Sequence, residues 1–142
     1  MNWQSTPIFI PVGTEFTVER NGSKATLHDV KQGKEYHLDI GADGEVYLEK
    51  FVSKNPVNIK EYSDEIQANI RNTVARIGMA KEQVYIPMGP PAWAGEKTDK
   101  MTYDEIMAAN LWLYKRRPFG KNIGVAFDYE TGKVNRTEGI WR

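Results

Sequence analysis

The side chains best equipped for chemistry are few and far apart. Lys115, Arg116, Arg117 and Lys121 place four of the chain's 19 basic residues in "LYKRRPFGKNIG", with Phe119 among them. An aromatic ring set among cations is the composition of a site that stacks a base and holds its phosphate. The first three of those cations equally suit the last turn of a helix, where they complement the C-terminal dipole and Pro118 forbids continuation. That account leaves Phe119 and Lys121 over. Asp128 and Glu130 alternate in "VAFDYETG", and on a strand both carboxylates would point to one face. His28 and His37 are the only two histidines, so general-base chemistry has little to draw on. With no cysteine, disulfides, thiolate catalysis and Cys-based zinc sites are excluded.

"VAFDYETG" resembles the first motif of DEDD-type exonucleases, in which such a carboxylate pair holds catalytic metal ions. The resemblance covers about eight residues. The family's further acidic motifs lie well downstream, whereas only residues 131–142 follow Glu130 here. A phosphate loop or dinucleotide fingerprint is absent too, since Gly120, Gly124 and Gly132 have the wrong spacing.

The four tryptophans, Trp3, Trp93, Trp112 and Trp141, carry more weight. Tryptophan, tyrosine and arginine dominate binding hot spots because they bury large, rigid areas with a polar handle. Trp112 reads as core. Trp3 and Trp141 lie near the ends, and Trp93 sits in the middle of a loop.

The elements that must position these groups follow from turn chemistry and periodicity. Residues 1–52 read as an antiparallel β-meander of four to five strands. Asn21-Gly22 is a strong hairpin signal, pairing Val18 with Ala25 and Phe16 with Leu27. Gln32-Gly33 turns next, pairing Ala25 with Ile40 and Leu27 with Leu38. Ala42-Asp43-Gly44 then pairs Ile40 with Val46 and Leu38 with Leu48. All three registers put the apolar residues on one face. They also make His28 and His37 direct cross-strand neighbours, flanked in the row by Glu15 and Glu49, an arrangement able to take a divalent metal or a proton.

Residues 58–78 read as a helix with an Asn58/Glu61 capping box and one stripe of Ile59, Tyr62, Ile66, Ile70, Val74 and Ile77. This helix is expected across the apolar face of the meander. Val84-Tyr85-Ile86 reads as a short strand. Residues 87–101 form a Pro/Gly-rich loop, long enough to suggest a function. A second helix spans 102–117, opened by a Thr102/Glu105 capping box, and residues 122–141 close the chain as a β-hairpin turning at Thr131-Gly132.

At 142 residues, with 40% hydrophobic and 27% charged side chains, the chain suits a single α+β domain. Basic and acidic residues number 19 each, so no bulk field draws it to nucleic acid or an anionic membrane. No apolar stretch approaches the ~20 residues of a membrane span, and the N-terminus has no signal-peptide pattern, so a cytoplasmic location is expected. The functional expectation is a non-catalytic module that binds a partner protein or its own copies through Trp/Tyr-rich surfaces at 87–101 and 112–120, in the style of a phage accessory protein, with no cofactor. Its site residues are Trp93, Arg116, Arg117, Phe119 and Lys121. The alternative is a small nucleic-acid or nucleotide-phosphate binder working through KRRPFGKN. A weaker one is a metal-dependent hydrolase using Asp128 and Glu130.

Overall fold

A computed structural model describes residues 10–115 and 121–139. The fold is α+β, with two three-stranded antiparallel sheets and four α-helices among the described residues. The first sheet is a meander of β1 (Phe16–Asn21), β2 (Lys24–Asp29) and β3 (Glu35–Asp39), in the order β1-β2-β3. Its registers differ from expectation by two residues at each turn. Val18 pairs with Leu27 rather than Ala25, and Leu27 with Tyr36 rather than Leu38. The first turn is Gly22-Ser23, because Gly22 supplies the positive φ (59°) at the first central position while Ser23 has none. That is the type II′ pattern, not the I′ turn that Asn21-Gly22 would make. A slip of two preserves every side-chain face, so Ala25 and Leu27 remain buried as expected.

The fourth strand of the expected meander is a helix. Residues Gly44–Glu49 form α1, and Leu48 accepts from Val52 N at 2.8 Å. Tyr47, Leu48 and Val52 then pack on Ala25, Leu27 and Ile40 to make a small core. The four-residue step from Leu48 to Val52, with Tyr47 adjacent on the same face, won over the Val46/Leu48 alternation. α1 therefore covers the meander, where the segment 58–78 was expected to lie. Arg20 ties the two together with a 2.7 Å ion pair to Glu45.

Segment 58–78 is not one helix. A single 3₁₀ turn spans Ile59–Glu61, and α2 runs from Asp64 to Arg71. Asn58 accepts from Lys60 N, and Ser63 restarts the helix by accepting from Ile66 N. The C-terminus is a Schellman motif, in which Val74 N donates to Asn69 O and Thr73 N to Ile70 O. Thr73 holds the left-handed position at φ 55°, where glycine is usual. With the helix ended, Ile77 leaves the stripe and is 72% exposed.

Ile66 and Ile70 belong instead to a second, larger core. Helix α3 (Lys81–Met88) supplies Val84, Tyr85 and Met88 to it, so the Val84–Ile86 strand does not exist. Helical spacing buries all three at once, and Gln83 Oε1 accepts from Ala80 N at 2.9 Å to start the turn. Thr102 and Glu105 do form the expected capping box on α4 (Tyr103–Ala108). The chain then leaves the helix and forms β4 (Leu111–Tyr114), paired with β5 (Ile123–Phe127) and, through it, β6 (Val134–Glu138). In "LWLY" alternate residues face opposite ways: Trp112 and Tyr114 are buried, while Leu111 and Leu113 point outward. Trp112 is 0% exposed, packs edge-to-face on Phe127 (4.6 Å) and Tyr85 (5.8 Å), and donates from Nε1 to Ile106 O. The C-terminal hairpin is present, with a bulge at Ala126/Phe127 and a turn over 128–133.

Polar groups link the two cores. Lys50 is 5% exposed, and its ammonium donates to Thr98 O (2.9 Å) and Asp99 O (3.2 Å). Its carbonyl accepts from the buried Tyr85 hydroxyl (2.9 Å), and Glu49 accepts from Tyr103 N (3.0 Å). Burial lowers the Lys50 pKa and raises that of Tyr85, as expected for groups whose charged forms lose water.

Candidate functional site

Trp93 stands at the edge of the second sheet and fixes the geometry of its outer face. The 87–101 segment is not free of structure: Trp93 and Leu113 exchange backbone hydrogen bonds of 3.2 and 2.9 Å, which adds Trp93 to the edge of β4. The chain then doubles back, so that Lys97 bridges Trp93 on the other side. Ala94 N→Glu96 O and Thr98 N→Ala92 O frame that bridge as a non-hydrogen-bonded antiparallel pair, which brings side chains closest. Paired residues share a face, so register alone gives one continuous outer row: Lys97, Trp93, Leu113, Gly124, Glu138. A parallel row runs Leu111, Ala126, Arg136.

This face is apolar in the middle and charged at both ends. Trp93 and Leu113 are half-buried and lie outside both cores, and Leu111 is 37% exposed. Gly124 and Ala126 leave a shallow hollow of about 80 Å³ bounded by Leu111 and Leu113 on one side and Arg136 and Glu138 on the other. Arg136 and Glu138 pair at 3.4 Å in solvent.

The other expected residues fall differently. Lys115 follows a strand, not the last turn of a helix, so a helix dipole does not explain it. The Tyr114↔Ile123 pair makes residues 115–122 the connection between β4 and β5, with Lys115 and Lys121 exposed. Arg116, Arg117 and Phe119 lie outside the described residues, as do Trp3 and Trp141.

His28 and His37 are not cross-strand partners. The two-residue slip sets His28 opposite Glu35 and His37 opposite Thr26. His28 Nδ1 lies 3.1 Å from Glu35, and His37 Nδ1 is 3.2 Å from Thr26 Oγ1. The expected row is also broken at its end, because Glu49 belongs to α1. Asp128 and Glu130 do not share a strand face, since β5 ends at Phe127 and both lie in the turn. Asp128 Oδ1 accepts from Glu130 N, Thr131 N and Thr131 Oγ1, and the Thr131 bonds hold its pKa below the usual carboxylate value. That carboxylate closes a turn. Among the described residues no cluster of three His, Asp or Glu side chains could hold a metal ion.

Sequence reasoning singled out Trp93 but missed the row around it. The signal was the alternation in "LWLY", which was absorbed into the 102–117 helix. No protein-family model, curated protein or solved structure matches the chain. Among the described residues no helix is long and apolar enough to cross a membrane.

Proposed function

We propose that the protein is a non-catalytic interaction module whose contact surface is the outer face of the β4-β5-β6 sheet, centred on Trp93. One observation carries the reading: Trp93 is held by backbone pairing on both edges, is grouped with neither core, and keeps part of its surface in solvent beside Leu113. A rigid aromatic beside aliphatic surface is the composition of a hot spot, because little side-chain entropy is lost when it is covered. Trp93→Ala tests this. The variant stays folded, as an unchanged circular dichroism spectrum would show, with a melting temperature lowered by the lost packing of a partly buried ring, but it loses its associations. These are read by quantitative cross-linking of the tagged full chain in cell extract and by sedimentation of the pure protein. Identical association profiles for wild type and variant would sink the proposal.

A second reading is favoured by a separate observation. The basic segment 115–122 joins two paired strands, and the helix-end account no longer applies to Lys115. As a phosphate or nucleic-acid contact it would use Arg116, Arg117, Phe119 and Lys121. Binding to a labelled oligonucleotide would then weaken steeply between 50 and 200 mM salt, about ten-fold or more for three neutralised phosphates. An apolar interface has no such dependence.

A further inference from the structure

The outer row is complementary to itself. In register order it reads cation, indole, leucine, gap, anion: Lys97, Trp93, Leu113, Gly124, Glu138. Leu113 is its midpoint. A half-turn about an axis parallel to the strands and passing over Leu113 reverses the order of the row and turns its face over. Lys97 of one copy then lies over Glu138 of the other, Trp93 over Gly124, and Leu113 over itself. Leu111, on the same strand and face, lies on the same axis. We propose that this face pairs with a second copy of the chain, as a two-fold symmetric sheet-on-sheet dimer. The inference rests on the interaction-module reading above and names the partner of that surface.

Three features argue for a second copy over a foreign partner. The charges at the two ends are opposite, so the same rotation that joins the faces forms both cross-copy ion pairs, as an isologous interface requires. The largest side chain of the row, Trp93, and the gap at Gly124 are equidistant from the midpoint, one strand to either side. Strands lie about 4.8 Å apart, so the row spans about 19 Å, and face-to-face sheets sit about 10 Å apart with their side chains interdigitated. The hollow of about 80 Å³ lies over Gly124 and Ala126, on the opposite side of Leu113 from Trp93. Glu138 is already paired with Arg136, but at 3.4 Å and about two-thirds exposure each that surface pair leaves the carboxylate in solvent.

Gly124 supplies the most discriminating variant. A Cβ there would meet Leu113 Cδ2 at 3.5 Å and Glu138 Cβ at 3.7 Å, ordinary contact distances, and its φ is not left-handed. Alanine therefore fits the fold yet fills the gap that the partner's Trp93 would enter.

Sedimentation equilibrium of the full chain over a concentration series decides the matter. The wild type is expected to dimerise. Gly124→Ala keeps the wild-type melting temperature while weakening association roughly ten-fold, and Trp93→Ala weakens it roughly thirty-fold. Lys97→Glu and Glu138→Lys each weaken it roughly ten-fold by facing like charges. Mixing those two variants restores association as a one-to-one heterodimer, because each carries the charges the other lacks. A wild type monomeric at millimolar concentration overturns the dimer, as does a mixture that fails to associate. Neither result touches the broader reading, which fails only if Trp93→Ala also leaves capture of other proteins unchanged.

Discussion

Replacing Thr73 with glycine should stabilise the protein, against the usual cost of glycine near a helix. Thr73 is the C′ residue of α2, and both Schellman hydrogen bonds depend on its left-handed φ of 55°. For an L-residue that conformation costs about 1–2 kcal/mol, and branching at Cβ puts threonine toward the upper end. Glycine removes the penalty but gives back about 0.5–1 kcal/mol in unfolded-chain entropy. The difference is a net gain of about 0.5–1 kcal/mol. For a chain of this size, a gain of that order raises the melting temperature by about 2–4 °C. Asparagine, which tolerates the left-handed region, should fall between the two. The assay is thermal and urea unfolding of Thr73, Thr73→Asn and Thr73→Gly, with an unchanged m-value to show that the denatured state is the same. A glycine variant no more stable than wild type would show that the threonine side chain contributes more than its backbone strain costs, and would refute the reasoning.

Gly139→Ala should be far more damaging than Gly22→Ala. Both have positive φ, costing about 1–2 kcal/mol, but a Cβ at Gly139 also runs into the backbone of Asn122 and lies 3.0 Å from Ile123 Cα, whereas nothing stands within 4 Å at Gly22. Urea midpoints of the two variants that coincide would contradict this. Stability should also fall above about pH 10. Burial raises the pKa of Tyr47, Tyr62, Tyr85, Tyr103 and Tyr114, so the unfolded chain loses those protons first and is favoured as pH rises. Lys50 and Lys81 act oppositely: their lowered pKa values make stability rise with pH until the unfolded lysines titrate, but they are two groups against five. A urea midpoint at pH 11 equal to that at pH 9 would count against the assignment. Tyr114→Phe should flatten the alkaline fall, since that hydroxyl is buried against Gly89 O.

Turn chemistry and side-chain alternation made the first hairpins legible, because the faces of β2 and β3 survive a two-residue error in register. Cross-strand partners do not survive it, which is why the His28/His37 pairing dissolved while the core prediction for Ala25 and Leu27 held. The capping box at Thr102 was likewise real, but a start signal says nothing of where a helix ends. "LWLY" has no breaker before Pro118, and only pairing with β5, which is distant information, makes it a strand. The same limit hid the candidate face. Lys97, Trp93, Leu113, Gly124 and Glu138 come from four stretches of chain and become one row only when the sheet is assembled.

Lys50 sets how the molecule can come apart. Among the described residues the core under the meander buries Ala25, Leu27 and Ile40, and α1 supplies the helix against which the three strands pack. Undocking α1 from the larger core would strip the Lys50 ammonium from Thr98 and Asp99 and leave the Tyr85 hydroxyl without its acceptor. The short helix α1 therefore borrows its lifetime from the larger core. The Tyr47 and Val52 amide protons, bonded to Asp43 O and Leu48 O, should exchange on the clock of global unfolding, although the helix is only about two turns long.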